Sequence, residues 1–158
     1  MDLYEFFNTF IEAAANDAAL DAWANINFSR DVNVYADLDF DEAPGEDEMP
    51  YMVFHSPGKS AHQERRITEY TLGVWLVIYQ TGNKTRTEDN LTEPSGVELI
   101  TDFITKVQTL IKDVVPSNFV VGFDIDTDTI GMLPEIHAYM DIAFQERITI
   151  GSDPLSIT

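Results

Sequence analysis

Residues 95–116 read SGVELITDFITKVQTLIKDVVP, and this stretch decides the fold. Ser95 followed three positions later by Glu98 is the capping-box pattern that opens a helix. Apolar residues then recur at helical spacing and form one stripe: Ile100, Phe103, Ile104, Val107, Leu110, Ile111 and Val114. Pro116 cannot continue a helix. The sequence therefore predicts a helix from Gly96 to Val115 that buries one face against a sheet.

Segments typical of β-strands lie on both sides of this helix, with two-residue alternation in the first and the last and a nearly continuous apolar run from Leu72 to Tyr79 in the third. They are Val32–Leu38, Tyr51–His55, Ile67–Gln80, Phe119–Ile125 and a final strand within Leu133–Ile150. Pro57-Gly58 is a turn signal, so we expect Ser56–Arg66 to be a long, mobile hairpin connection. Thr81–Glu93 is predicted to be a polar loop, and Asp124–Gly131 a turn.

An N-terminal helix completes the pattern. Its apolar residues are Leu3, Phe6, Phe7, Phe10, Ile11 and Ala14. Asp2 is placed to cap it, while the amides at Asn25–Asn27 predict that helical structure stops there. We therefore expect one α+β domain over residues 1–158, with an antiparallel or mixed sheet in the order α-β-β-β-α-β-β. Residues 151–158 are expected to form a C-terminal arm.

The composition narrows the functional classes. Twenty-eight acidic and nine basic residues give a formal net charge of −19, which repels bare nucleic acid and anionic membrane. No apolar run is long enough to span a bilayer. The absence of cysteine excludes disulfides and thiolate metal sites. We therefore expect no membrane partner and no specific nucleic-acid partner.

Alternating acids suggest calcium binding as an alternative, because a hard cation prefers many oxygen ligands. The two candidate sets are Asp37, Asp39, Asp41 and Glu48, and Asp124, Asp126, Asp128 and Glu135. An EF-hand loop needs glycine at its sixth position, where this chain has Glu42 and Thr129. Solvated aspartates at the end of a strand give the same pattern.

Catalytic motifs are missing from the sequence. No Gly-x-Ser-x-Gly elbow supports a hydrolase, and His55, His62 and His137 do not have zinc-ligand spacing. We therefore predict a protein that is not an enzyme and needs no cofactor. A small hydrolase built around His55 or His137 remains a rival hypothesis.

Five of the nine basic residues lie in the segments that flank the third strand: Lys59, Arg65, Arg66, Lys84 and Arg86. Basic tips on an acidic body can orient docking between like subunits. We therefore predict that these residues bind a partner. The alternative is that these residues lie in solvated loops and bind no partner, since exposed charges usually contribute little interaction energy.

The order of elements resembles that of the tail terminator, or tail completion, proteins of long-tailed bacteriophages. The resemblance is carried by Met49-Pro-Tyr-Met-Val-Phe-His55 after an acidic loop, by the strand Ile67–Gln80, by the helix Gly96–Val115 and by the last strand, Ala138–Ile150. A short Asp153-Pro154-Leu155 tail follows.

The resemblance implies a structural virion subunit, assembled in the bacterial cytoplasm, that forms a homo-oligomeric and commonly six-fold ring. Such a ring caps the tail tube protein, stops its polymerisation and meets the head connector protein. By position, Ser56–Arg66 would be a loop that faces the tube. Another head–tail adaptor of similar fold is a further alternative.

Overall fold

The computed structural model describes residues 1–37, 44–62, 67–80, 83–86, 91–94, 96–128 and 134–146. The helices are α1 (Leu3–Ala15), α2 (Ala18–Phe28) and α3 (Gly96–Val114). The strands are β1 (Asn33–Ala36), β2 (Tyr51–His62), β3 (Ile67–Tyr79), β4 (Asn83–Arg86), β5 (Leu91–Pro94), β6 (Phe119–Asp128) and β7 (Glu135–Glu146). A 3-10 turn, Glu46–Glu48, precedes β2.

Five strands form one mixed sheet in the order β1-β2-β3-β7-β6. β1 is parallel to β2, and the other neighbours are antiparallel. β4 and β5 form a separate two-stranded hairpin between β3 and α3. The α+β class and the order of the predicted elements are confirmed, with one further helix and this hairpin added.

The three helices cover one face of the sheet, here called the inner face. α3 places Phe103, Val107 and Ile111 there, all fully buried, as its apolar stripe predicts. Phe6 of α1 stacks on Tyr70 of β3, with ring centroids 4.1 Å apart. Because these helices are amphipathic, their stability comes mostly from this burial.

β2 is longer than predicted, and the expected connection over Ser56–Arg66 is wrong for 56–62. Pairing with β3 shifts between His55 and Gly58, so a β-bulge accommodates Ser56 and Pro57, and pairing resumes at Gly58 with Thr71. Ser56 has a φ of 51°, in the left-handed region. β1 pairs with β2 only as far as Phe54, so Pro57 lies where its missing N–H interrupts no ladder.

The predicted stop at Asn25–Asn27 is also wrong, because α2 continues to Phe28. Asn25 and Asn27 donate their side-chain amides to the carbonyls of Asp21 and Trp23, each at 2.8 Å. The amides are therefore satisfied within the helix. α2 ends at Ser29, whose backbone is left-handed.

Two further expectations are corrected. The predicted turn at Asp124–Gly131 is wrong over 124–128, because these residues continue β6. The predicted loop at Thr81–Glu93 contains strands.

The Asp2 cap of α1 is present as a full capping box with Glu5. Ser95 and the predicted arm at 151–158 lie outside the described residues.

Candidate interaction face

The face of the sheet opposite the helices, here called the outer face, carries the polar and aromatic side chains. Along β7, Ile136, Met140 and Phe144 lie on the inner face, and His137 and Tyr139 lie on the outer face. This division follows from the two-residue period of a strand. The outer face therefore brings together polar and aromatic side chains that the inner face excludes along this strand.

Aromatic rings cross the outer face from strand to strand. The Tyr51 ring meets Trp75 edge to face at 5.8 Å, and Trp75 stacks on Tyr139 at 6.2 Å with an interplanar angle of 6°. Tyr51 is 2% exposed, whereas Tyr139 is 39% exposed. The row thus runs from a buried end near β1 to an open end beside β6.

A buried hydrogen-bond chain fixes the centre of this row. Trp75 Nε1–H donates to His137 Nδ1 at 2.9 Å, and His137 Nε2 lies 3.0 Å from Glu135 Oε2. Because an indole N–H can only donate, Nδ1 must accept and the imidazole proton lies on Nε2. His137, only 4% exposed, is therefore held below the surface by a hydrogen bond at each ring nitrogen.

The two tyrosines at the buried end of the row stay protonated at neutral pH. Burial raises the pKa of Tyr51 to about 12, with a further contribution from the Glu135 carboxylate. Burial and a hydrogen bond to Glu48, 2.9 Å long, raise the pKa of Tyr35 to about 12 as well. Such phenols do not act as bases at neutral pH.

Carboxylates border the open end. Asp124 and Asp126 lie on the outer face of β6, opposite Asp141 and Tyr139 of β7. Next to them is a shallow depression of about 480 Å³ whose floor includes Gly73 and Gly122. A Cβ on Gly73 would lie 2.2 Å from the His55 ring, so this glycine permits a close approach of the neighbouring side chain.

The predicted calcium ligands do not converge among the described residues. Asp124, Asp126 and Asp128 lie along one extended strand, where alternate residues are roughly 6.6 Å apart. Glu48 accepts the Tyr35 hydroxyl instead. Within the ranges that the structure describes, no group of three or more acidic or histidine side chains is placed to hold a metal ion. Asp39 and Asp41 lie outside those ranges, and calcium binding stays a prediction.

The structure places the basic residues that we predicted to bind a partner in different parts of the fold. The Lys59 ammonium lies 5.1 Å from the Tyr70 ring centroid and donates to the Met1 carbonyl at 3.3 Å. Lys59 is therefore engaged with its own chain. Lys84 and Arg86 belong to β4, at the second and fourth positions of that strand. Arg65 and Arg66 lie outside the described residues.

Sequence reasoning missed the outer face as a unit. The alternation of His137, Tyr139 and Asp141 is visible in the sequence. Their pairing with Trp75 and Gly73 depends on the register of β7 against β3, which the sequence does not give. The signal that could have found the face is the run of ring and carboxylate side chains at alternate positions of the last two strands.

The chain matches no protein-family model, and no curated protein is significantly similar to it in sequence.

None of the helices in the described part of the chain is both long and apolar enough to cross a membrane.

Proposed function

We propose that this chain is a structural, ring-forming subunit of the kind found as tail terminators of long-tailed bacteriophages. In this role, copies of the chain close into a ring on the end of the tail tube. The ring halts further tube growth and presents a surface to the head connector.

The observation that carries the proposal is the open border of the sheet. Among the residues that the structure describes, β6 is ten residues long and pairs with β7 on one side only, and the outer face next to it leaves Tyr139 exposed. An unpaired strand beside an aromatic and acidic surface favours association with other chains. Most natural sheets shield such an edge.

The charge of the chain is compatible with this role. A ring of subunits that each carry a net charge of −19 offers phosphate no attractive surface overall. Like charge suppresses phosphate binding, so DNA could pass through the lumen without adhering to it.

Ring closure needs a heterologous contact, in which one patch meets a different patch on the next copy.

Light scattering and negative-stain electron microscopy of the purified chain test the proposal. We expect ring-shaped particles, either free or after addition of tubes assembled from the tail-tube protein encoded in the same genome. Gold-labelled copies should then mark tube ends and should shorten tubes when added during polymerisation.

Two results together would contradict the proposal. One is a strict monomer at high concentration, and the other is a failure of the labelled copies to bind tube ends. Labelling along the whole tube wall would also argue against a terminator, because a terminator recognises the end of the tube.

A further inference from the structure

β6 offers an uninterrupted edge for strand addition. Its register with β7 runs from Phe119 to Asp128 without a shift, so no bulge twists the edge away. The strand contains no proline or lysine, two residues that commonly protect edges. In an antiparallel pair every second residue turns its N–H and C=O away from the partner. On β6 those groups face the open side.

The inner row of β6 leaves apolar surface for an added strand to cover. Val121, Phe123 and Ile125 pack on the core but are only half-buried. Lys112 lies over the Phe123 ring at 5.5 Å, on the helix side of the sheet. The two rows of β6 therefore differ, with apolar residues toward the helices and aspartates on the outer face.

The aspartates decide which strand can pair there. An antiparallel contact between two β6 strands would bring Asp124 and Asp126 of both copies opposite or diagonal to one another. Like charges at such cross-strand positions are destabilising. Asp124 also faces Asp141 already. The β6 edge thus disfavours pairing with β6 of a second copy and favours a strand with basic residues at alternate positions.

One segment of this chain has that pattern. Lys84 and Arg86 are the only two basic residues spaced two apart anywhere in the sequence. They lie in β4, which pairs with β5 on one side and with no other strand among the described residues. Their spacing along the strand equals that of Asp124 and Asp126.

We infer that β4 of one copy adds to β6 of the next copy, with Lys84 and Arg86 beside Asp124 and Asp126. The inference rests on the proposed function, because it names the contact that links successive subunits. The two surfaces are different parts of the chain, so the contact is head-to-tail and can propagate around a ring. The β4–β5 hairpin would then extend the neighbour's five-stranded sheet.

Charge exchange tests this contact in the full-length chain. The double variants Asp124→Lys/Asp126→Lys and Lys84→Glu/Arg86→Glu should each weaken self-association at least about tenfold, because like charges then face each other. An equimolar mixture of the two variants should recover association, since each reversed strand meets a reversed partner. Sedimentation velocity at low and high salt measures the effect, which salt should reduce.

Asp102→Lys/Asp113→Lys is the matched control. Both residues are exposed on α3, and the substitution changes the net charge by the same amount as the β6 variant. Thermal melting of every variant confirms that it is folded. If the β6 variant weakens association no more than this control, the inference is overturned while a ring formed by another contact remains tenable.

Cysteine pairing supplies an independent readout, because the chain has no cysteine of its own. A copy with Thr85→Cys mixed with a copy with Ile125→Cys, the residue that faces Thr85 in this register, should form a disulfide-linked heterodimer on mild oxidation. The same mixture with Lys84→Glu/Arg86→Glu added to the first copy should lose it. Absence of the heterodimer, together with no association of the charge-exchange mixture, overturns the inference. Cross-linking of copies that never bind tube ends would support the contact and contradict the proposed function.

Discussion

On β7 the two faces of the sheet can be compared within one strand. Phe144 and Ile136 lie on the inner face and are fully buried under the helices, whereas Tyr139, on the outer face, keeps 39% of its surface in solvent. From Ile136 to Phe144 the inner face of this strand is filled by apolar side chains alone. The outer face combines rings, a buried imidazole and carboxylates. The difference teaches that burial on the inner face maintains the fold, whereas the outer face keeps polar and aromatic groups within reach of solvent.

The largest expected effect separates the two faces directly. Phe144→Ala should lower the free energy of unfolding by about 3–5 kcal/mol, because it leaves a cavity in a packed core. Tyr139→Ala, five residues earlier on the same strand, should cost about 1 kcal/mol or less, since much of its ring is already solvated. Urea unfolding of both variants measures the pair. Similar losses for both would break the distinction between the faces.

The buried imidazole on the outer face should have the next largest effect. His137→Phe removes the acceptor of the Trp75 indole N–H and the donor to Glu135, at a cost of about 1–3 kcal/mol. Trp75→Phe removes the donor instead, and a double-mutant cycle should give a coupling near 1 kcal/mol. Additive losses would mean that the hydrogen bond does not stabilise this face.

The two glycines beneath the outer depression form a matched pair with a smaller effect. Gly73→Ala should cost about 1 kcal/mol, because its Cβ would meet the His55 ring, which must rotate aside. Gly122→Ala meets nothing within 4 Å and should be neutral within about 0.5 kcal/mol. Thermal unfolding compares them, and His55→Ala should rescue the first variant. An equal loss of stability at both glycines would show that the room available for a Cβ does not determine the cost of the substitution.

The smallest effect at neutral pH concerns Tyr51. Its pKa rises from 10.0 to about 12 on folding, so between these values the unfolded chain loses a proton that the folded chain keeps. The stability that this raised pKa contributes to the free energy of unfolding is therefore fully present below pH 10 and is lost as the pH rises through 12. Urea midpoints across this window should fall for the natural chain and fall less for Tyr51→Phe. Tyr4→Phe, at an exposed helix position, is the control.

The inner face could be predicted from the sequence, because periodicity reports burial directly. The stripe from Ile100 to Ile111 identified α3 and the side that it buries. Alternation identified β7, and a nearly continuous apolar run identified β3. These elements need no knowledge of their neighbours to be recognised.

The outer face could not be predicted, because it depends on pairing between distant segments. Trp75 meets His137 only through the register of β3 against β7. In the sequence, Pro57-Gly58 looks like a turn. The β-bulge found there instead depends on the pairing of β2 with β3, which the sequence does not give. The amides of Asn25 and Asn27 resemble a stop signal until their helical carbonyl partners are known.

Each side of the sheet also holds one of the two tryptophans. Trp23 stacks on Phe103 at 4.8 Å among the helices, and its indole N–H meets no acceptor within the described residues. Trp75 donates to His137 on the opposite side. The protein thus contains two tryptophan fluorophores in contrasting surroundings. Replacing either one by phenylalanine leaves a single tryptophan emitter, so one spectrum can follow the helical interior and another the outer face during the same titration.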